Sequence, residues 1–348
     1  MRTEYFITMD THCRTTDACI KTARGKLVRR EHLSTGIPQL RELIESIPRP
    51  RHLAFEEGSM AGWLYRNLKT CVDELIVCDP RRNAHVAKDG DKDDPIDAEK
   101  LNDLYRGGFL RPVHQLQSLE AAAMKQIIGM YHDCVARRVA QSNYLLALGR
   151  RWGVMLSAVK LLGSDGGQWL KERLEQSQVP ASILSIAQDL RELFVGAVEQ
   201  EESLYSQVCR IARKDKMMRR VSELPGYGPI RAATLISYLD TPWRFKSKSA
   251  LWKYVGIGLR REKSGEGLSI ISVEQACNHL LRNVVIGAAQ NAIDQKENVF
   301  AERYTRWMKT GLSSRNARRN VARDQVTAVW GMWKSDKAFD AELIRGRS

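Results

Sequence analysis

Residues 4–12, EYFITMDTH, hold a short apolar strand over Glu4–Met9 that Asp10 closes. Residues 18–32 supply two more strands joined at Arg24-Gly25, and Ile37–Ile47 is helical. Leu53-Ala-Phe55 is a strand ending on acids, Met60–Leu68 a helix, Glu74–Cys78 a strand and Asp97–Tyr105 a helix. Strands alternating with helices in this order predict a mixed sheet with helices packed on it over residues 1–115.

From Leu116 the pattern changes to long helices. Ile186, Leu190, Leu193, Ala197, Leu204, Val208 and Ile211 form an a/d seam, and 118–150 is a second helical stretch with a less regular one. Gly163–Gly167 and Pro180 break the pair. Residues 116–218 therefore predict a coiled-coil linker, either a hairpin within one chain or an arm that pairs with another. Residues 219–348 are a third, mainly helical domain with a glycine-rich piece, Gly256–Gly267, in its middle.

The 348 residues suit two or three domains, and 43% hydrophobic with 28% charged residues is a folded composition. No apolar run reaches about 18 residues, so no membrane span is expected. Charged residues scattered through the first 30 positions argue against a signal peptide. Seven cysteines without a C-x-x-C fit reduced thiols in the cytoplasm, and scattered histidines give no zinc spacing. Trp243, Trp252 and Trp307 are expected to pack between helices, and Tyr227 to lie beneath its turn without a catalytic role.

The net charge of +14 is lopsided. Residues 1–204 are balanced, whereas residues 205–348 carry 27 Lys and Arg against 13 Asp and Glu. Arg210, Arg213, Lys214, Lys216, Arg219 and Arg220 crowd one short stretch with a single acid, Asp215. Such a domain favours a polyanion, whose counterions are released when its phosphates are neutralised.

Asp10 and Glu56 each close a strand, and Asp94 and Asp97 stand three apart at a helix start in KDDPIDAE. Four carboxylates so placed could hold two Mg²⁺ ions, which take oxygen ligands and stabilise both the attacking and leaving oxygens of a phosphodiester. The same residues have a plainer reading: Asp94-Pro95 is an N-cap followed by proline at N1, Asp97 suits the helix dipole, and strand-end acids occur in turns. Leu224-Pro-Gly-Tyr-Gly-Pro has the form of a helix-hairpin-helix, in which Gly226 and Gly228 permit a turn able to hold a phosphate. A plain helix-to-helix turn is the alternative. Ser264 sits in a glycine-rich loop beside Arg260, Arg261 and Lys263, where it is either a turn residue or a nucleophile whose phosphorane the guanidiniums would stabilise.

In chain order these residues resemble the bacterial DEDD/serine transposases of the insertion-sequence-110 family, over nearly the whole chain. Asp10, Glu56, Asp94 and Asp97 fall on the DEDD pattern, with DDPIDAEKL in place of the family's acidic helix. LPGYGPIRAATLI, RFKSKSALWKYVGIGLRREKSG and CNHLLRNVVIGAA fall on its C-terminal domain, where Ser264 matches the serine nucleophile, and NARRNVARDQVTAVWGMW fits its last helix. Glu57 follows Glu56 where the family has a small residue, and Glu56 is taken as the ligand; Cys277 replaces a common glycine.

The resemblance implies an RNase H-like (RuvC-like) N-terminal domain and a recombinase that moves its own element, working as a dimer that assembles into a tetramer. A Mg²⁺-loaded DEDD site would position a strand for attack by Ser264, giving a phosphoserine intermediate. A structured noncoding guide RNA would pair donor and target DNA, so that base pairing supplies specificity. Arg213, Lys214, Arg219, Arg220, Gly226, Gly228, Arg260, Arg261, Lys263 and Arg282 are the expected nucleic-acid contacts. Two alternatives share these residues: a Mg²⁺-dependent junction-resolving nuclease with water as nucleophile, and a non-catalytic nucleic-acid-binding protein.

Overall fold

The computed structural model describes residues 3–80, 94–116, 118–262, 270–273 and 275–345, with backbone alone at 94–95, 261–262, 270–271 and 273. The chain forms two compact units, Met1–Leu119 and Glu120–Ser348.

The first unit is a five-stranded mixed sheet. Strands β1 (Tyr5–Thr11), β2 (Thr15–Thr22), β3 (Leu27–Ser34), β4 (Arg51–Glu56) and β5 (Glu74–Cys78) lie in the order β3-β2-β1-β4-β5. β1 pairs antiparallel with β2 and β2 with β3, whereas β1–β4 and β4–β5 are parallel. This arrangement is consistent with an RNase H-like domain. Along β1 the side chains alternate between two covered faces. Ile7 and Met9 join Leu40, Leu43 and Ile44 of helix α1 (Ile37–Glu45) and Leu64 and Leu68 of α2 (Ala61–Leu68). Phe6 packs on the opposite face, with Leu101 and Tyr105 of α3 (Asp94–Arg106). The outer strand β3 is largely exposed and carries Arg29, Arg30 and Glu31, charges that discourage edge-to-edge pairing.

The second unit is almost wholly helical. Helices α4 (Leu119–Arg151) and α7 (Ala181–Lys214) run antiparallel, with Tyr131 and Tyr205 ring centroids 6.3 Å apart and Arg138 bonded to Glu201. Two short helices, α5 (Ala158–Leu162) and α6 (Gly166–Glu175), join them. At this end Leu145, Leu161, Leu170, Leu174, Ala187 and Phe194 make a local core. Leu204 and Val208 of the expected seam are buried, but in the first half of α7 the stripe is rotated: Ile186 and Leu193 are 49% and 57% exposed, while Ala187 and Phe194 are buried. The cause is that several helices, not one, set the buried stripe of α7.

The remaining elements are α8 (Lys216–Ser222), α9 (Pro229–Leu239), α10 (Lys248–Tyr254), the antiparallel pair β6 (Leu259–Glu262) and β7 (Ile270–Val273), α11 (His279–Asp294), α12 (Val299–Lys309), α13 (Ser314–Ser335) and α14 (Glu342–Arg345). Side-chain N-caps start several of them: Asp215 for α8, Ser247 for α10, Asn278 for α11, Asn298 for α12 and Ser313 for α13. Ile128 of α4 and Val208 and Ala212 of α7 share one core with Val221, Leu235, Val285 and Val326. The segments expected as 116–218 and 219–348 are therefore continuous at their junction. Trp252 and Trp307 pack against that core, but Trp243 is 72% exposed and lies under the Lys334 ammonium. That corrects the expectation of a packed Trp243, because the side chain follows a short 3-10 turn, Pro242–Arg244, at the surface. Among the described residues, no helix is long and apolar enough to cross a membrane.

Two features fix how α4, α9 and α11 meet. His132 of α4 reaches Thr234 of α9, Nε2 to Oγ1 2.9 Å, and burial holds the ring below its ordinary pKa despite the opposing charge of Asp133. Gly226, between α8 and α9, has φ +85°, and a Cβ there would lie 1.9 Å from the Ala288 carbonyl oxygen of α11. Substitution Gly226→Ala is therefore expected to lower the melting temperature sharply, with about 1–3 kcal/mol lost to the backbone conformation alone; an unchanged melting curve would refute the close approach. For His132 the unfolded chain takes the proton first, so stability is lost as pH falls through about 6.5. The fall in melting temperature between about pH 7.5 and about pH 5.5 should be smaller in His132→Gln than in the parent.

Candidate active site

The candidate site is built on the α3 face of the first unit. Thr8 Oγ1 donates to the Ala98 carbonyl at 2.7 Å, and Asn102 Nδ2 donates to the Phe6 carbonyl at 2.8 Å and the Cys19 carbonyl at 3.1 Å. Lys21, 7% exposed, reaches Glu99 and Asp103 at 2.9 Å each. Burial alone would lower this ammonium, but the bonds to Asp103 and Glu99 outweigh burial and hold it above its ordinary pKa. The bond to Lys21, joined by Arg30, holds the Glu99 carboxyl below the usual range. Tyr105 closes the far end, its hydroxyl donating to Glu74 at 2.7 Å.

These contacts fix the direction of α3. Moving from Phe6 to Thr8 along β1 corresponds to moving from Asn102 to Ala98 along α3. Two strand residues rise about 6.6 Å and four helix residues about 6 Å, so the two elements keep step while running antiparallel. Two further residues along β1 arrive at Asp10, and four residues back along α3 arrive at Asp94, on the row that continues through Ala98, Leu101 and Tyr105. Asp97 lies on the same first turn, 46% exposed, with Lys100 Nζ at 3.9 Å.

Asp10 and Glu56 are neighbours across β1 and β4. The last paired rung is Met9 with Phe55, and the two acids occupy the next. By alternation with Thr8 and Ala54, both fall on the α3 face. Glu57, one residue on, is exposed, and its N–H donates to the Cys78 carbonyl at 2.9 Å. His12 Nε2 lies 3.4 Å from Asp10 Oδ2.

Strand register adds two residues that sequence reading passed over. Asp17 of β2 stands directly opposite Asp10, and His32 of β3 opposite Asp17. Asp17 is 5% exposed and bonded to His32 Nδ1 at 3.0 Å. A cross-strand row therefore reads His32, Asp17, Asp10, Glu56. Asp10 and Asp17 stand seven residues apart in the sequence, and their opposition follows only once the Cys13-Arg14 turn is placed between them.

Asp10 and Glu56 themselves offer carboxylate oxygens, the donors that suit Mg²⁺. Among the described residues, no group of three or more His, Cys, Asp or Glu is placed to hold an ion. The Asp94 side chain is outside that description, as are Lys263 and Ser264, and Arg261 is described by backbone alone.

Of the expected nucleic-acid contacts in the second unit, Arg213, Lys214, Arg219 and Arg260 are exposed. Arg220 is held by Asp336, at 2.7 Å from Oδ1 and 2.9 Å from the carbonyl. Arg282 donates inward to the Gly256 carbonyl at 3.1 Å and Cys277 Sγ at 2.8 Å, so it braces the chain before β6. Gly226 is buried against α11, whereas Gly228, φ +102°, opens α9 with no side-chain cap.

The packing of α3 generates a test. Asn102→Ala removes the donor to two strand carbonyls and should destabilise the protein by about 1–3 kcal/mol. Amide exchange should rise in α3 and β1 while the second unit is unaffected; equal protection in both variants would show that Asn102 does not hold the helix.

Comparison with known proteins bears on both units. Residues 7–148 match a model of DEDD transposases described as "Transposase", and residues 218–305 match one described as "Transposase IS116/IS110/IS902 family". A protein of Sinorhizobium fredii (strain NBRC 101917 / NGR234) named "Putative transposase y4pF/y4sB" is 24% identical over 304 residues, covering 86% of this chain and 73% of its own. With both halves of the family pattern present in order on one chain, the protein belongs to the IS110-type transposase family.

Proposed function

We propose that this transposase is the recombinase of an insertion sequence, cutting and rejoining donor and target DNA through a phosphoserine at Ser264. The observation that carries this reading is the pair Asp10 and Glu56 on adjacent strand ends, level with the helix turn that holds Asp94 and Asp97. These four carboxylates would hold Mg²⁺, two ions in all, with Glu56 rather than Glu57 as ligand because it shares the α3 face with Asp10. When bound there, the metal supplies neutralisation of charge on the reacting phosphate. The carboxylates orient the strand. Ser264 Oγ bonds to phosphorus as the bond to one deoxyribose oxygen breaks, and the serine proton leaves with that oxygen. The energy of the phosphodiester is conserved for rejoining.

The partners under this reading are donor and target DNA and a structured noncoding guide RNA, met in the cytoplasm. The arm of 116–218 would act as a coiled coil joining homodimers into a homotetramer; Ile186 and Leu193, exposed on α7, support a second role for that helix. The α8–α9 turn would act as a helix-hairpin-helix through Gly228, with Arg213, Lys214 and Arg219 nearby in sequence. Arg260, Arg261 and Lys263 would serve the strand attacked by Ser264.

Incubation of the full chain with Mg²⁺, guide RNA and DNA should yield a DNA–protein adduct that protease removes and that Ser264→Ala abolishes. Asp10→Asn should lose the adduct by more than about a hundredfold while RNA binding persists. Cleavage that survives Ser264→Ala would favour a junction-resolving nuclease using water, and binding without scission would leave a non-catalytic nucleic-acid-binding protein.

A further inference from the structure

Helix α13 opens with SRNARRNVAR, residues 314–323, in which Arg315, Arg318, Arg319 and Arg323 occur before the first acid, Asp324. Asp324 is engaged elsewhere, 2.6 Å from Arg303 Nε. Among the described residues, no carboxylate lies within ion-pair distance of those four arginines. Arg315, Arg319 and Arg323 are spaced four apart and so form one ridge about 12 Å long.

Beside that ridge is a cavity of about 400 Å³. Asn316, Arg319, Asn320 and Arg323 line it from α13, and Leu259 and Ser272 line it from β6 and β7. Its polar chemistry is one-sided. Arg319 Nη1 donates to Asn316 Oδ1 at 3.0 Å, and Arg323 Nη1 to Asn320 Oδ1 at 2.9 Å. Arg323 also donates through Nε and Nη2 to the Ile257 carbonyl, at 2.9 and 2.7 Å. The asparagine oxygens thus each accept from a guanidinium, so that the α13 wall offers chiefly amide and guanidinium N–H donors, with the Ser272 hydroxyl from β7 also lining the cavity.

The electrostatics agree. Burial, and after it the charges of Arg315, Arg282 and Arg318, hold the Arg319 guanidinium below its ordinary pKa. Burial and Arg319 act in the same sense on Arg323. Arginine remains charged across the working pH range, so the effect is stored repulsion among half-buried cations rather than deprotonation. A bound anion offsets it.

We infer that this cavity on α13 is a phosphate-binding site that grips the backbone of a DNA strand. A phosphodiester fits because guanidiniums and side-chain amides line the same cavity, and because the ridge continues past the cavity to meet further phosphates of the same strand. The site lies at the root of the strand pair whose connecting residues include Ser264, so it deepens the recombinase reading and rests on DNA being the substrate.

Binding of the full chain to a fluorescein-labelled DNA duplex of about 30 base pairs, followed by anisotropy across a salt series, tests the site. Arg319→Gln should weaken binding about fivefold to tenfold and reduce the slope of log K against log salt by about one. Its melting temperature should hold or rise, since repulsion is relieved. Arg319→Lys should restore the slope, and Arg345→Gln, paired with Glu302 and Glu342 elsewhere, should leave it alone. An unchanged slope in Arg319→Gln, or a lower melting temperature that Arg319→Lys does not rescue, overturns the site. Loss confined to an RNA duplex of the same sequence overturns the assignment to DNA. A parent chain that forms no serine adduct yet shows the Arg319 slope change keeps the site and loses the recombinase reading; an adduct with an unchanged slope does the reverse.

Discussion

The first unit depends on how α3 is moored to the sheet. Thr8, Asn102 and buried Lys21 fix both the direction and the step of the helix against β1 and β2. A slip of one helical turn would move the Asp94–Asp97 turn by about 5.4 Å relative to Asp10. It would also strand the Lys21 ammonium and the strand carbonyls without partners, a penalty that buried polar groups cannot absorb. Register in the helix and position of the acids are therefore one constraint. The polar contacts sit well inside the unit, while Asp10 and Glu56 are half-buried at the ends of their strands.

In the second unit, charge is handled in a different way. Several arginines that look free in the sequence are internal braces: Arg282 on Gly256 and Cys277, Arg323 on Ile257, Arg191 on the Leu161 carbonyl at 2.9 Å. Guanidinium suits this role because it bonds in a plane and tolerates partial burial while charged. The Cys277 sulfur is one of the atoms so braced.

Sequence reading located the sheet unit well because strand runs are local. β5 begins and ends at the residues expected, and the other strands differ by a few residues at their ends. The helix expected from Asp97 starts at Asp94, since Pro95 is acceptable in a first turn. Non-local facts were not legible. The opposition of Asp10, Asp17 and His32 depends on hairpin register, the rotation of the α7 stripe on which neighbours it has, and the exposure of Trp243 on a short turn. Gly226 was read as a turn residue open to phosphate, whereas the approach of Ala288 requires it. The four acids could be named from the sequence, but the face that Asp10 and Glu56 share, and the level at which the first turn of α3 meets them, follow only from strand alternation combined with the direction of α3.

Asp336 ends α13 in a left-handed conformation, φ 51°, with its carboxylate between Lys216 at 2.6 Å and Arg220 at 2.7 Å. Those two cations belong to the densest basic stretch of the chain, and they hold the Asp336 carboxyl below its ordinary pKa. The helix end thus acts as a resident counterion. A polyanion arriving at α8 meets fewer uncommitted cations than the composition advertises, and it must displace a carboxylate already tethered beside them.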